Sequence, residues 1–94
     1  MDIGNMKNIK VDKMEFAKQE HERIRKTGNY AEVAICVEAG SSQVIPYCHA
    51  CKCSTRDIAI MMDALKQVYK ELEKRYPEAA FYSNFMMKSR KEDL

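Results

Sequence analysis

The chain has almost no charge excess, few glycines and no long apolar run, and each shortage removes a class of function. Its 16 basic residues stand against 14 acidic ones, a net charge of +2. That balance is too even for the broad positive field of most nucleic-acid binders. The 3 glycines form no phosphate-cradling array. No window approaches the roughly 18 apolar residues of a membrane span, so no membrane partner is expected. Asp2, Lys7, Lys10 and Asp12 interrupt the stretch where a secretory signal needs unbroken apolar sequence. A cytoplasmic location follows as the expectation, with the 4 cysteines present as thiols or metal ligands. Internal repeats and low-complexity stretches are missing as well.

What is present suits a small folded unit. Ninety-four residues make a single domain over 1–94, marginal enough in core to call for an oligomer, a partner or a metal ion. A hydrophobic share of 46% with 32% charged residues suits a globular protein with a solvated surface. Residues 1–11 read as an extended lead-in and 89–94 as a loose tail.

The first helix is predicted over about Lys13–Thr27. Asp12 and Glu15 have the spacing of a capping box, Val11 and Phe16 that of a hydrophobic staple, and Gly28 can close the helix in a left-handed conformation. Its apolar stripe is Met14, Ala17, His21 and Ile24, with Phe16 beside it. Val33, Ile35 and Val37 then alternate with Glu32, Ala34, Cys36 and Glu38, so Tyr30–Val37 reads as a half-buried strand. Ala39–Ser42 is a turn, and Gln43 to about His49 returns as a second strand. Pro46 there removes a ladder donor and marks an edge.

Ser54 and Asp57 form a second capping box, with Cys53 and Ile58 in the staple positions. From Thr55 to Tyr76 the residues Ile58, Met61, Leu65, Val68 and Leu72 repeat at helical spacing, and Met62, Tyr69 and Tyr76 widen the stripe. This helix, roughly 33 Å long, outruns strands that reach only about 25 Å. Something else must cover its far end. Pro77 ends it, and a short helix over about Glu78–Lys88 carries Ala79, Ala80, Phe81, Tyr82, Phe85, Met86 and Met87. A helix apolar on most sides has to be sandwiched, which suggests a second subunit or a partner.

The one unusual cluster is Tyr47-Cys48-His49-Ala50-Cys51-Lys52-Cys53. Cys48 and Cys51 have the gap of a zinc knuckle, in which a tight turn aims two sulfurs at one ion. The second pair that would complete it is missing, so the best ligand set is Cys36, Cys48, Cys51 and Cys53. The competing reading is that cysteine is a small residue commonly buried in packing. A thiol redox centre fits poorly, because the pair precedes the Ser54 cap and not the first helical turn. Cys48 and His49 point to opposite faces of a strand and cannot act as nucleophile and base. His21 can reach Cys48 from the helix, but a single histidine on an apolar stripe is more simply a core residue.

Met61-Met62 and Met86-Met87 could hold copper(I) beside the thiols, yet all four lie at predicted apolar helix positions and read more simply as adaptable packing. Tyr30 and Tyr47 could stack on bases, or pack across strands. Arg23, Arg25 and Lys26, and again Lys88, Arg90 and Lys91, lie at helix carboxyl ends. The macrodipole accounts for them, an acidic partner being the functional alternative.

The expected architecture is α+β, in the order helix, β-hairpin, long helix, short helix, with the hairpin packed on the long helix. The expected function is non-catalytic: an adaptor, inhibitor or regulator that works as a homodimer and meets a protein partner through Phe81, Tyr82, Phe85, Met86 and Tyr47, without a cofactor. The alternative is a zinc-stabilised module that binds nucleic acid or a nucleotide through the Cys48–Cys53 loop. The hairpin and long helix are similar to small accessory proteins carried by phages and mobile elements. That resemblance, which carries no diagnostic motif, implies a protein that blocks or sequesters a host component.

Overall fold

The computed structural model describes residues 14–92, so Val11 and Asp12, the expected staple and cap partners of the first helix, lie outside the described residues, as does the lead-in. The elements are α1 (Met14–Thr27), β1 (Tyr30–Val37), β2 (Val44–Cys51), α2 (Thr55–Arg75) and α3 (Pro77–Glu92). The order is the expected α-β-β-α-α, and the hairpin contacts the long helix.

Helix α1 closes as its last residues dictate. Gly28 adopts φ 75°, a region that costs a side chain about 1–2 kcal/mol, and its amide donates to the Arg25 carbonyl at 3.1 Å. The Thr27 hydroxyl donates back to the Ile24 carbonyl at 2.7 Å and accepts from the Asn29 amide at 3.1 Å. The chain therefore reverses into β1 within two residues.

The antiparallel hairpin pairs Tyr30 with Cys51, Val33 with Cys48, Ile35 with Pro46 and Val37 with Val44. Gln43 was expected to open β2, but its amide bonds the Ser41 hydroxyl at 3.1 Å, and the strand starts at Val44. At the other end pairing runs past His49 to Cys51. Gly40 (φ 83°) and Ser42 (φ 63°) supply the left-handed corners of the turn. Strand β1 is half-buried from Tyr30 to Ala34 and exposed beyond, whereas β2 is exposed from Val44 to Ala50.

The capping box of α2 forms as the spacing predicts. The Asp57 amide donates to the Ser54 hydroxyl at 3.2 Å, and the Ser54 amide donates to the Asp57 carboxylate at 2.9 Å. Those bonds to Ser54 lower the Asp57 pKa. Tyr76 leaves helical geometry (φ −132°, ψ 71°) while its amide still donates to Leu72 at 2.8 Å. Its carbonyl accepts from Ala80 at 3.0 Å, so this one residue ends α2 and starts α3. Pro77 takes the first helical position, where no donor is missed. The tail expected from Ser89 is instead helical as far as Glu92. The Ser-Arg-Lys-Glu run holds no glycine or proline to break it.

No described residue is fully buried. His21, expected on a core-facing stripe, stays exposed. The Cα radius of gyration is 15.6 Å, against about 12 Å for a compact chain this long. The elements are arranged around an interior that they do not close.

Local signals therefore carry much of the fold. Ser54→Ala should cost about 1 kcal/mol, lowering the urea midpoint with an unchanged slope. No shift in midpoint would mean that the Ser54–Asp57 bonds contribute nothing net.

Candidate functional site

The register decides what the cysteine segment can do. Partners across an antiparallel ladder share a face, and neighbours along a strand alternate. Cys48, opposite Val33, therefore lies on one face of the hairpin. Cys36, opposite Ile45, and Cys51, opposite Tyr30, lie on the other, at opposite ends of the ladder. Six residues of strand separate those two positions, or about 20 Å, where zinc needs each sulfur about 2.3 Å from one ion. Cys53 follows a left-handed corner at Lys52 (φ 55°), and its thiol donates to the Cys51 carbonyl at 3.6 Å. The chain does not bring Cys36, Cys48, Cys51 and Cys53 together. Among the described residues no group of three or more histidine, cysteine or carboxylate side chains is placed to hold a metal. His49 shares the Glu32 face and stacks at a tilt on Tyr30, ring centres 5.6 Å apart.

The same face carries a polar clamp that sequence reasoning missed. Arg25 in the last turn of α1 donates from Nε to Glu32 Oε2 at 2.9 Å and from Nη2 to Oε1. The Tyr47 hydroxyl donates to that same Oε1 at 2.5 Å. Tyr47 lies diagonally across the ladder from Glu32, because its direct partner is Ala34. A bidentate arginine–carboxylate pair is among the stronger charge-assisted contacts. The Arg25 bonds, then the Tyr47 bond, hold the Glu32 carboxyl down to about 2. Glu32 in turn raises the Arg25 and Tyr47 pKa values. A carboxylate so engaged is a poor proton acceptor at neutral pH, and its chemistry is that of a strut. The basic cluster at the end of α1 thus has a structural use for Arg25 that helix polarity alone did not suggest. Around the strut, His21, Ile24, Tyr30 and Met61 help line a hollow of 240 Å³.

A second exposed feature is apolar. A groove of 350 Å³ runs between β1 and α2, lined by Val33, Ala34, Ile35, Met61, Ala64, Leu65, Val68, Tyr69 and Leu72. Ile35 is 61% exposed and Leu72 49%, so the hairpin touches α2 without covering it. Helix α3 joins α2 near their shared end, where Tyr69 and Ser83 share a hydrogen bond of 2.9 Å. A second crevice there is lined by Leu72, Tyr76, Ala79 and Ala80. Past that joint the helix is bare: Phe85 is 63% exposed and Met86 57%. Phe81 and Tyr82 are exposed too, and meet each other edge to face at 5.8 Å. Of the five residues expected at an interface, these four lie together on α3. Tyr47 stands apart on β2, half its surface open and its hydroxyl committed to Glu32.

The clamp has a pH signature. Since Glu32 is held below its ordinary 4.5, its contribution to stability is full above that pH and is lost as pH falls toward about 2. The melting temperature of Glu32→Gln should fall less steeply with acidification than that of the parent. Parallel profiles would show that the clamp adds no stability.

Compared with family models, with curated proteins and with solved structures, the chain finds no match in any of the three.

Proposed function

We propose that the protein is a non-catalytic interaction domain, an adaptor, inhibitor or regulator, that works as a homodimer and meets a protein partner. One observation carries this reading: no described residue is fully buried, although α2 and α3 present large side chains such as Leu65, Leu72, Tyr76, Phe81 and Phe85. Burying apolar surface is worth about 25 cal/mol per Å², and a chain that leaves its largest side chains in water forgoes most of it. Soluble monomers rarely carry contiguous apolar patches beyond a few hundred Å². A face of this kind is stable when another protein surface completes it.

The area supports the same reading. The chain exposes 8513 Å², where a compact monomer of 10.9 kDa exposes about 5,600 Å². Removing about 1,000 Å² from each of two chains gives about 2,000 Å², the lower end for obligate homodimers. The open ribbon, with Ile45 and Tyr47 on one face, leaves a further surface for the partner. Four thiols held free suit a reducing cytosol.

The test is unfolding at several protein concentrations alongside analytical ultracentrifugation. An obligate dimer should sediment as such, and its melting temperature should rise by about 3–4 °C per tenfold concentration. A monomer with a sharp, concentration-independent transition would overturn the proposal.

A further inference from the structure

We propose that α3 of one chain seats in the β1–α2 groove of a second copy, with the reciprocal contact made across a two-fold axis. The inference rests on the homodimer reading and adds to it which surfaces meet.

The two halves of the contact are carried by the same chain. On one side is the groove, whose α2 wall from Met61 to Leu72 is about 17 Å long, room for three helical turns. Its lining residues are all uncharged. On the other side is α3, where residues 79–87 read Ala-Ala-Phe-Tyr-Ser-Asn-Phe-Met-Met and hold no charge. That segment is about 12 Å long as helix, so it fits within the groove wall. Within the chain the two surfaces meet only at their joined end, where Ala79, Ala80 and Ser83 lie against Tyr69 and Leu72. Tyr76 is the only residue between α2 and α3, and α3 reaches α2 through the Tyr69–Ser83 bond while Phe85 and Met86 remain open.

A contact between two different patches of one chain closes when a two-fold axis repeats it. Two copies related in this way fill both grooves and cover both apolar helices, leaving no open end. The result is a layer of α2 and α3 from each chain, flanked by the two hairpins. A foreign helix would fill the groove but leave this chain's own α3 bare. A second copy meets both needs with one contact.

The experiment places the photo-crosslinking residue p-benzoylphenylalanine at position 85 in the full chain. Isotopically heavy and light copies are mixed, so that heavy–light crosslinks report contacts between chains. The expected result is a crosslinked dimer whose heavy–light peptides join α3 to β1 around Val33–Ile35 or to α2 within Met61–Leu72. Crosslinks from α3 to α3, or to β2, would overturn this seating while leaving a homodimer in place. A protein that stays monomeric and uncrosslinked at every concentration would overturn both the seating and the homodimer. As a second measurement, Leu65→Glu in the groove and Phe85→Glu on the helix should each weaken dimerisation by at least about 30-fold. A dimer indifferent to both would also overturn the seating.

Discussion

A ribbon of two strands is too small to cover the helix it lies on. Strands of 8 residues reach about 26 Å, and α2 with 21 residues reaches about 32 Å. The width matters more than the length. Two strands lie about 5 Å apart, so the ribbon presents hardly more breadth than one helix. The apolar stripe of α2 is broad, because Met62, Tyr69 and Tyr76 extend it beyond Ile58, Met61, Leu65, Val68 and Leu72. The hairpin meets part of that stripe through Val33 and Ile35 and cannot reach the rest. Most other features follow from this shortfall: the open groove, the bare α3, and the lack of a fully buried residue among those described.

The polar clamp fastens the ribbon to α1 and not to α2. Arg25, Glu32 and Tyr47 tie the end of α1, the first half of β1 and the centre of β2 into one unit. They act at the half-buried end of β1, beside the Gly28 reversal. Held there, the ribbon sends its turn outward, with Ile35, Val37, Val44 and Ile45 exposed. Charge-assisted bonds at one end can fix an orientation without supplying the apolar burial that would complete a core. The fold is thus firm where it is polar and unfinished where it is apolar.

Elements whose signals are local were legible in the sequence. Ser54 with Asp57, Gly28 and Pro77 each act within a few residues and sit where their chemistry predicts, and the alternation through Val33, Ile35 and Val37 marks the strand although Ile35 and Val37 stay exposed. The helix past Lys88 was less legible, because nothing in Ser-Arg-Lys-Glu either stops or demands it. The packing of the hairpin on the long helix was legible as well, but the individual side-chain contacts across elements were not. The Glu32–Tyr47 bond depends on a diagonal set by the register, and the register depends on the two left-handed residues of the turn. The thiols illustrate the same limit: spacing suggested a cluster, whereas the ladder sends Cys36 and Cys48 to opposite faces. Periodicity tells which face of a helix is apolar, but not whether anything in the same chain is wide enough to cover it.

Pro46 bears on how that missing cover can arrive. Adding a strand to a free sheet edge is one way for such a ribbon to bind. The Glu38 amide donates to the Gln43 carbonyl at 3.0 Å, which makes those two a directly bonded pair. Bonded and non-bonded pairs alternate along an antiparallel ladder, so Ile35 and Pro46 form a non-bonded pair whose main-chain groups point away from each other. The donor that proline lacks is therefore missing from the outer edge of β2, and the ladder to β1 loses nothing. A strand laid along that edge would meet a gap at Pro46, the third of the eight residues of β2, and the proline ring beside it. Pro46 thus weakens edge pairing through β2, while large side chains of α2 and α3 stand open. The proposed seating accordingly uses side-chain packing on the helices, where one more helix supplies the breadth that two strands lack.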